Sequence, residues 1–190
     1  KLSGKKNTAV LISGRGSNLK SLIKYSKTKK SLIKIVIVIS DNFGAKGLIY
    51  ANKSKINNIV IKYSNRKSFE DRLLKLLKKS NVDLICLAGF MKILSGSFIK
   101  KFYKPILNIH PSLLPKYKGL NTHNRVIENK EKYSGATVHV VDKKLDSGRI
   151  IMQKSVIILK SDNETSLKKK VLKIEHEIYP KAIIRVLTNL

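Results

Sequence analysis

The sequence predicts an α/β fold with a mostly parallel central sheet and a mixed C-terminal portion. Between residues 8 and 110, short apolar runs rich in Val and Ile alternate with amphipathic segments of helical period. The runs are nearly continuous rather than alternating, as in strands that are buried on both faces and have helices on each side. Further along, two strand-like runs follow each other with no helical segment between them, which indicates a mixed sheet there.

Each element follows from this pattern in order. Strands are predicted at 8–13, 32–40, 58–63, 83–88 and 106–110, and helices at 18–29, 45–55, 68–79 and 98–103. Ser68 and Asp71 form the predicted capping pair of the third helix. Its inward face is predicted to carry Phe69, Leu73, Leu76 and Leu77.

The C-terminal part continues with predicted strands at 135–141 and 150–159. The residues from Ser161 to Glu164 resemble a capping box ahead of a long terminal helix. The inward stripe of that helix is predicted to be Leu167, Val171, Ile174, Ile178, Ala182 and Val186.

Length and composition fit one globular domain spanning residues 1–190. Apolar residues make up 42% and charged residues 27% of the chain, so it can bury a core. The longest apolar run, near 35–39, is far too short to span a bilayer, and no signal peptide is visible, so we expect no membrane partner. The single cysteine, Cys86, cannot form an internal disulfide, which favours a cytoplasmic location.

The net charge of +28 has two interpretations. Such a charge would suit a nucleic-acid or membrane partner. However, only six of the 40 basic residues are arginine, the lysines run along the whole chain, and aromatic residues make up only 6%. This distribution favours a compositional bias, since a nucleic-acid surface would cluster its charge beside stacking aromatics. We therefore expect no specific nucleic-acid partner, although a positive field would help to capture an anionic substrate.

A glycine-rich turn, SGRGSN (13–18), directly follows the first predicted strand. A strand–glycine loop–helix unit exposes backbone N–H groups at the positive end of a helix, which suits a phosphate. The spacing is neither the dinucleotide fingerprint, which needs a third glycine, nor a P-loop, which needs Gly-Lys-Ser/Thr. A tight turn capped by Ser17 or Asn18, without a ligand, is equally consistent with these residues.

Asn108 and His110 are two residues apart on a predicted strand, so their side chains share one face of the sheet. They lie at its C-terminal end, where ligands bind in open α/β sheets. An amide beside an imidazole can stabilise the oxygen of a tetrahedral intermediate while the imidazole handles a proton. The alternative is a buried histidine bonded to backbone. The paired amide and the location favour catalysis.

A third segment, DKKLDSG (142–148), holds two acids and a glycine. Such a segment is usually an ordinary turn. It gains a function only if one of its acids meets His110. A carboxylate there would raise the pKa of the imidazole and keep it protonated at neutral pH.

The remaining histidines and the cysteine carry less weight. His123 is expected either to touch substrate or to lie on the surface, whereas His139 and His176 are interpreted as structural residues. Cys86 is interpreted as a small buried thiol rather than a nucleophile. Because no metal-ligand spacing is present, we expect no metal site.

Five segments together resemble the folate-dependent formyltransferase family, and within it the phosphoribosylglycinamide formyltransferases. They are VLISGRGSNL (10–19), LAGFMKIL (87–94), NIHPSLLPKYKG (108–119), GATVH (135–139) and DSGRI (146–150). The resemblance covers nearly the whole chain in the same order. It implies a single-domain Rossmann-like formyltransferase fold, with the phosphoribosyl substrate bound by the N-terminal half and folate by the C-terminal half.

The resemblance implies an activity in purine biosynthesis. The formyl group of 10-formyltetrahydrofolate would pass to the amine of N1-(5-phosphoribosyl)glycinamide by direct attack through a tetrahedral intermediate, without a metal. By the same resemblance, Asn108, His110 and Asp146 form the catalytic trio. Asn108 and a protonated His110 would stabilise the oxyanion, and Asp146 would keep His110 charged. The chain is expected to act as a monomer or homodimer.

The resemblance also assigns binding residues. The substrate phosphate is expected at Gly16, Ser17, Asn18 and Leu19, and the ribose at Leu172, Lys173, Ile174 and Glu175. Folate is expected at Arg66, Met91, Lys92, Ile93, Leu94, Asn108, Asp142, Lys143, Lys144, Leu145 and Asp146. Two positions depart from the family pattern: Arg15, whose extra cation would tighten phosphate binding, and Asn121, to which no role is assigned.

Two related activities are the nearest alternatives. Methionyl-tRNA formyltransferases share the chemistry but carry an additional C-terminal domain, and formyltetrahydrofolate deformylases carry an additional N-terminal regulatory domain. The 190 residues are accounted for without either, so we expect the ribonucleotide acceptor. A non-catalytic nucleic-acid-binding protein is the alternative from another class, and it would show strongly salt-dependent binding.

Overall fold

The computed structural model describes residues 4–188 and divides them into two compact units, which meet in sequence between Leu107 and Asn108. The first unit contains β1 (Lys6–Ile12), α1 (Ser17–Ser26), β2 (Ile33–Ser40), α2 (Leu48–Lys53), β3 (Asn58–Val60), α3 (Arg66–Lys79), β4 (Leu84–Leu87) and α4 (Gly96–Phe102). Strand β5 (Ile106–His110) contributes its first residues to this unit and its last residues to the next. The second unit continues with α5 (Thr122–Glu128), β6 (Tyr133–Val140), β7 (Ile150–Ile157) and α6 (Glu164–Thr188).

The first unit is built on parallel strands. Strand β1 pairs in parallel with β2 on one side and β4 on the other, and β2 pairs in parallel with β3. In β1 the side chains from Ala9 to Ile12 are fully buried. A run of consecutive apolar residues is stable only where both faces of a strand are covered, which explains why β1 occupies the interior of this sheet.

The second unit adds an antiparallel pair. Strands β6 and β7 run antiparallel, with Thr137 opposite Gln153 and a register shift between Val138 and His139. The strand order is β3-β2-β1-β4-β5-β6-β7. The predicted α/β class, with a mostly parallel sheet that becomes mixed near the C-terminus, is confirmed.

Helix α6 covers the antiparallel pair, since it contacts both β6 and β7. The predicted inward stripe is confirmed, because all six of its residues are buried: Leu167, Val171, Ile174, Ile178, Ala182 and Val186. No helix within residues 4–188 combines the length and apolarity needed to cross a membrane.

Both predicted helix caps are wrong by a short distance along the chain. Helix α3 begins at Arg66, and the side chain of Asn65 accepts a hydrogen bond from Ser68 N at 2.9 Å, so the predicted pair of Ser68 and Asp71 lies inside the helix. In α6 the accepting side chain is Asn163, which receives Ser166 N at 3.0 Å, rather than Ser161. Asn is among the strongest N-cap residues, and in both cases it precedes the helix directly.

The packing of α3 and one short helix also differ from expectation. Phe69, Leu73 and Leu77 are buried as predicted, but Leu76 is only half-buried. The sequence pattern gave no helix between 110 and 135, where the structure has α5. This helix has seven residues, and only Thr122 and Val126 are buried, so it presents too few apolar positions for a helical period to be visible.

Candidate active site

The C-terminal end of β5 carries the two side chains that the spacing singled out. Asn108 is half-buried and His110 is 5% exposed. Nε2 of His110 lies 2.8 Å from the main-chain oxygen of Tyr117, in the loop that follows the strand. The alternative of a buried histidine bonded to backbone therefore holds in part, but it does not account for the other side of the ring.

Asp146 meets that other side. Its Oδ2 lies 3.5 Å from Nδ1 of His110 and accepts a hydrogen bond from Gly119 N at 2.9 Å. Asp146 is 8% exposed and has φ +45°, a left-handed conformation that Asp tolerates better than most residues. The condition under which the 142–148 segment becomes more than a turn is therefore met.

His139 is the member of this cluster that the sequence interpretation missed. It was interpreted as structural, yet its Nε2 lies 3.2 Å from Nδ2 of Asn108 and 3.6 Å from Oδ1 of Asp146. It is 2% exposed. The signal that points to it is its position at the end of GATVH, one of the five segments that carry the family resemblance.

Main-chain oxygens fix where the imidazole protons sit. A carbonyl can only accept, so Nε2 of His110 carries the hydrogen that is donated to Tyr117 O, and Nδ1 of His139 carries the hydrogen that is donated to Val140 O at 2.9 Å. In their neutral forms, His110 then presents the lone pair of Nδ1, and His139 that of Nε2, to the carboxylate of Asp146. Nε2 of His139 also accepts one of the two amide hydrogens of Asn108.

The pKa of His110 is shifted downward, which corrects the expectation that Asp146 keeps this imidazole protonated at neutral pH. Burial disfavours the charged ring and is the largest cause; the hydrogen bond to Tyr117 O and the charge of Asp146 both act in the opposite direction but do not overcome it. The ring is therefore neutral at pH 7.

The pKa of Asp146 is also shifted downward. Burial acts to raise it, but the close approach of the His139 imidazole, the hydrogen bond from the backbone of Gly119 and the electrostatic attraction of His110 together outweigh burial. The cluster in its resting form thus pairs an ionised carboxylate with a neutral His110.

The 142–148 loop is closed at its base by backbone contacts. Val140 N donates to Arg149 O at 2.9 Å, and a methyl group at Gly148 would overlap the carbonyl of Val140. Asp142 accepts a hydrogen bond from Lys143 N at 2.6 Å. Of the predicted folate-binding residues in this loop, four are exposed and only Asp146 is buried; the exposed ones are Asp142, Lys143, Lys144 and Leu145.

The glycine-rich turn lies in the first unit, between β1 and α1. Gly16 is the N-cap residue of α1 at φ +74°, and no side chain caps the helix at this residue. The tight turn is therefore present, but the cap expected from Ser17 or Asn18 is not formed. A methyl group on Gly16 would overlap Cα of Gly47, and Gly47 N donates to Gly14 O at 3.0 Å. Glycine is thus required where two backbone segments touch.

The first turn of α1 lies at the positive end of the helix dipole, and no acidic residue occurs there. Arg15 is exposed beside this turn. Ser13 anchors the turn, since its Oγ accepts Met91 N at 2.9 Å and its main-chain oxygen accepts Asn42 Nδ2 at 3.2 Å. The arrangement has the geometry of an anion site at a helix N-terminus.

The predicted folate-binding residues of the first unit differ in exposure. Arg66 is exposed at the start of α3. Met91 is 61% and Ile93 49% exposed, whereas Leu94 is buried. Lys92 lies 3.7 Å from the carboxylate of Asp41 and over the ring of Tyr63. The two exposed apolar side chains give this segment a surface suited to a flat, partly apolar group.

The remaining candidate residues are placed as follows. In α6, Lys173 is exposed and Leu172 half-buried, whereas Ile174 and Glu175 are buried. His123 lies in α5 and His176 in α6, both half-buried, and Cys86 is a buried thiol in β4, as interpreted. Asn121 is the N-cap residue of α5 at φ +55°. Within the described residues 4–188, no group of three or more His, Cys, Asp or Glu side chains could hold a metal ion.

Comparison with known families identifies the class of protein to which this α/β chain belongs. A family model described as formyl transferase matches residues 6–183, and the chain therefore belongs to the formyl transferase family. The resemblance inferred from the five segments is confirmed.

Individual relatives narrow this class to the phosphoribosylglycinamide formyltransferases, with which the chain groups. It is 41% identical over 181 residues to the phosphoribosylglycinamide formyltransferase of Haemophilus influenzae. This match covers 94% of this chain and 85% of the relative. A crystal structure of the enzyme of that name from Anaplasma phagocytophilum superposes with a TM-score of 0.88 at 43% identity, covering 93% of this chain and 84% of the other.

A longer relative shares the same segment. The chain is 43% identical over 182 residues to the trifunctional purine biosynthetic protein adenosine-3 of Bos taurus. The match covers 94% of this chain but only 18% of that protein. The chain thus spans less than a fifth of the length of this relative.

Proposed function

We propose that this chain transfers the formyl group of 10-formyltetrahydrofolate to the amine of N1-(5-phosphoribosyl)glycinamide, a step of purine biosynthesis. Membership of the formyl transferase family implies a formyl donor derived from folate. The identity of the acceptor substrate is inferred from the names of relatives that are about 40% identical over most of the chain. The single observation that supports the chemistry is the cluster beside the end of β5, in which Asp146 lies 3.5 Å from His110 and His139 lies between Asn108 and Asp146.

Asn108 is the proposed oxyanion donor. When the amine attacks the formyl carbon, a C–N bond forms and the formyl oxygen gains negative charge. One amide hydrogen of Asn108 is donated to His139, and the other is directed to no acceptor among the described residues. A preorganised neutral donor of this kind typically contributes about 2.7–4 kcal/mol to transition-state stabilisation.

His110 is the proposed proton acceptor. Its lowered pKa leaves Nδ1 unprotonated at neutral pH, when the attacking amine must lose a proton. A proton that reaches Nδ1 faces Asp146, while the opposite N–H still donates to Tyr117 O, so the imidazolium has an acceptor on each side. The proton then returns to the nitrogen of the folate product as the bond between that nitrogen and the formyl carbon breaks.

The glycine turn and the terminal helix are the proposed recognition elements for the ribonucleotide. The backbone from Gly16 to Leu19, at the N-terminus of α1, suits the phosphate, and Arg15 adds a positive charge beside it. Glu175 is proposed to bind the ribose hydroxyls. The exposed Met91 and Ile93 and the backbone of the 142–146 loop are proposed to contact folate.

The test is acceptor-dependent release of tetrahydrofolate, followed spectroscopically with purified protein. With both substrates present we expect turnover, and with 10-formyltetrahydrofolate alone we expect none. Absence of turnover with the ribonucleotide contradicts the proposal, and equal turnover without it indicates a hydrolase instead. Asn108→Ala should lower kcat about 100- to 1000-fold while leaving the circular dichroism spectrum unchanged.

A further inference from the structure

The main-chain oxygen that binds His110 belongs to a residue in an uncommon conformation. Tyr117 has φ +57°, in the left-handed region that a bulky aromatic residue rarely adopts. In this conformation its carbonyl is directed at Nε2 of His110, 2.8 Å away. Such a backbone conformation persists only where surrounding contacts hold it.

Polar contacts of the Tyr117 side chain provide that hold. Its hydroxyl donates to Oε1 of Glu131 at 2.9 Å, and the guanidinium of Arg125 lies over its ring, 5.3 Å from the centroid. Arg125 also donates to Lys118 O at 2.7 Å, which ties the next residue of the loop to α5. Glu131 precedes β6 and Arg125 lies in α5, so two separate elements hold one tyrosine.

Apolar packing holds the loop less firmly on this side. A cavity of about 340 Å³ lies beside the segment, and Leu113, Pro115, Tyr117 and Glu131 are among the residues that line it. Side chains that border a cavity lose contacts on that side. The position of the Tyr117 carbonyl therefore rests on polar contacts of the loop, among them the Tyr117–Glu131 hydrogen bond and the Arg125 contact.

We propose that Tyr117, held by Glu131 and Arg125, is a positioning residue that keeps the proton of His110 on Nε2 and directs the Nδ1 lone pair at Asp146. Its importance for turnover rests on the proposed function. Which nitrogen of a catalytic imidazole carries the proton is decided by the partner of the other nitrogen. Without the carbonyl of Tyr117, the proton is free to move to Nδ1 and donate to Asp146, and Nδ1 is then no longer a base.

The groups that face His110 come from three elements. Asp146 follows β6, His139 lies on β6, and Arg125 on α5 contributes a repulsive charge. The carbonyl of Tyr117 favours the charged ring, as does Asp146. When the carbonyl is withdrawn, the limb of the pH–rate profile that reports His110 is expected to move to lower pH, since only the carboxylate then opposes burial.

The experiment compares Tyr117→Phe with a matched control on the same carboxylate. Tyr117→Phe removes the hydroxyl and keeps the ring under Arg125. Lys116→Met removes the other partner of Glu131 Oε1, an exposed ammonium 3.0 Å away, and leaves the tyrosine bond in place. Glu131→Ala removes the acceptor by a second route, and Glu131→Gln restores an uncharged acceptor.

The first readout is the tautomer of His110 from long-range ¹H–¹⁵N NMR, which needs no turnover. We expect the Nε2–H form in the wild type, Lys116→Met and, for the most part, Glu131→Gln, and a mixture in Tyr117→Phe and Glu131→Ala. An unchanged tautomer in both of the latter, with folded spectra, overturns the proposal. This result is independent of which reaction the protein catalyses.

The second readout is kinetic. In Tyr117→Phe and Glu131→Ala we expect kcat to fall about tenfold, with KM within about twofold of wild type and the His110 limb at lower pH. The double variant should lose little more than either single variant, because both break one contact. A displaced tautomer with unchanged kcat and pH profile overturns the positioning role, as does an equal loss in Lys116→Met.

Discussion

Asp146→Asn removes the negative charge of the cluster while leaving the size and shape of the side chain almost unchanged. Asparagine keeps an oxygen that can accept Gly119 N, now 2.9 Å from Oδ2. Its amide group can donate to the lone pair that His110 or His139 presents at this position. The variant is therefore expected to fold, with a Tm at or somewhat below that of the wild type, because the lowered pKa of Asp146 means that folding favours its ionised form.

The expected loss of activity follows from one distance. A proton on Nδ1 of His110 lies about 3.5 Å from the carboxylate of Asp146, and at an effective dielectric constant of about 20 their attraction is about 5 kcal/mol. The cost of burying the carboxylate offsets part of this. Comparable electrostatic partners of a transition state contribute about 2.7–4 kcal/mol. We therefore expect kcat to fall about 100- to 1000-fold, with little change in KM.

The assay is steady-state release of tetrahydrofolate at pH 7 with both substrates, beside a thermal melt of each protein. Glu128→Gln is the matched control, since it removes the same charge from an exposed residue at the end of α5 whose recorded partner is Asn124. It should retain wild-type kcat. A folded Asp146→Asn protein with kcat within about threefold of wild type would refute the claim that this carboxylate stabilises the proton on His110.

Three further substitutions test other parts of the chain. Gly16→Ala should lower the free energy of unfolding by about 1–3 kcal/mol in urea titrations, because the added methyl group overlaps the backbone of Gly47. Gly14→Ala is the control and should leave the free energy of unfolding unchanged, because a methyl group at Gly14 would meet no neighbouring atom. Burial lowers the pKa of His123 below 6.5, so the stability it contributes is present above that pH and lost as pH falls. His123→Gln should therefore lose less Tm between pH 7 and pH 5 than wild type, and parallel curves would contradict this. The pKa of Asp162 is lowered from 3.8 to about 2, chiefly by its hydrogen bond to Lys170, so the stability that this carboxylate contributes is lost as the pH falls through that interval. Asp162→Asn should therefore make the loss of stability over this pH range less steep. An acid-unfolding curve identical to that of the wild type would contradict this.

Elements with sharp local limits were predicted well from the sequence. Strand β5 begins and ends as predicted, because Pro105 and Pro111 bound its apolar run and proline interrupts strand pairing. The pattern predicts helix α3 over most of its length, but the helix starts two residues earlier than predicted because Asn65 provides the cap. Helix α5 was not predicted, since its few buried positions depend on tertiary packing rather than on a local pattern.

The candidate site was predictable where its residues lie close together in the sequence. Asn108 and His110 follow from a spacing of two on one strand. Asp146 needed the added condition that it meet His110, and His139 was missed because the register between two strands is not encoded in either strand alone. The expectation that His110 is protonated was wrong because the direction of its pKa shift depends on burial. The 5% exposure of this side chain arises from tertiary packing, which the local sequence does not reveal.

The resting cluster is arranged to receive one proton. The carbonyls of Tyr117 and Val140 take the N–H groups of the two imidazoles, so both remaining nitrogens turn lone pairs toward the carboxylate of Asp146. Three acceptors that face each other repel, and one added proton replaces the repulsion with a charge-assisted hydrogen bond. A nucleophilic amine supplies such a proton as it attacks. Because neither imidazole has an N–H left for a developing oxyanion while both carbonyl contacts persist, stabilisation of that charge falls to the amide of Asn108. The separate roles of the cluster in accepting a proton and of Asn108 in stabilising the oxyanion therefore follow from two hydrogen bonds to main-chain oxygens.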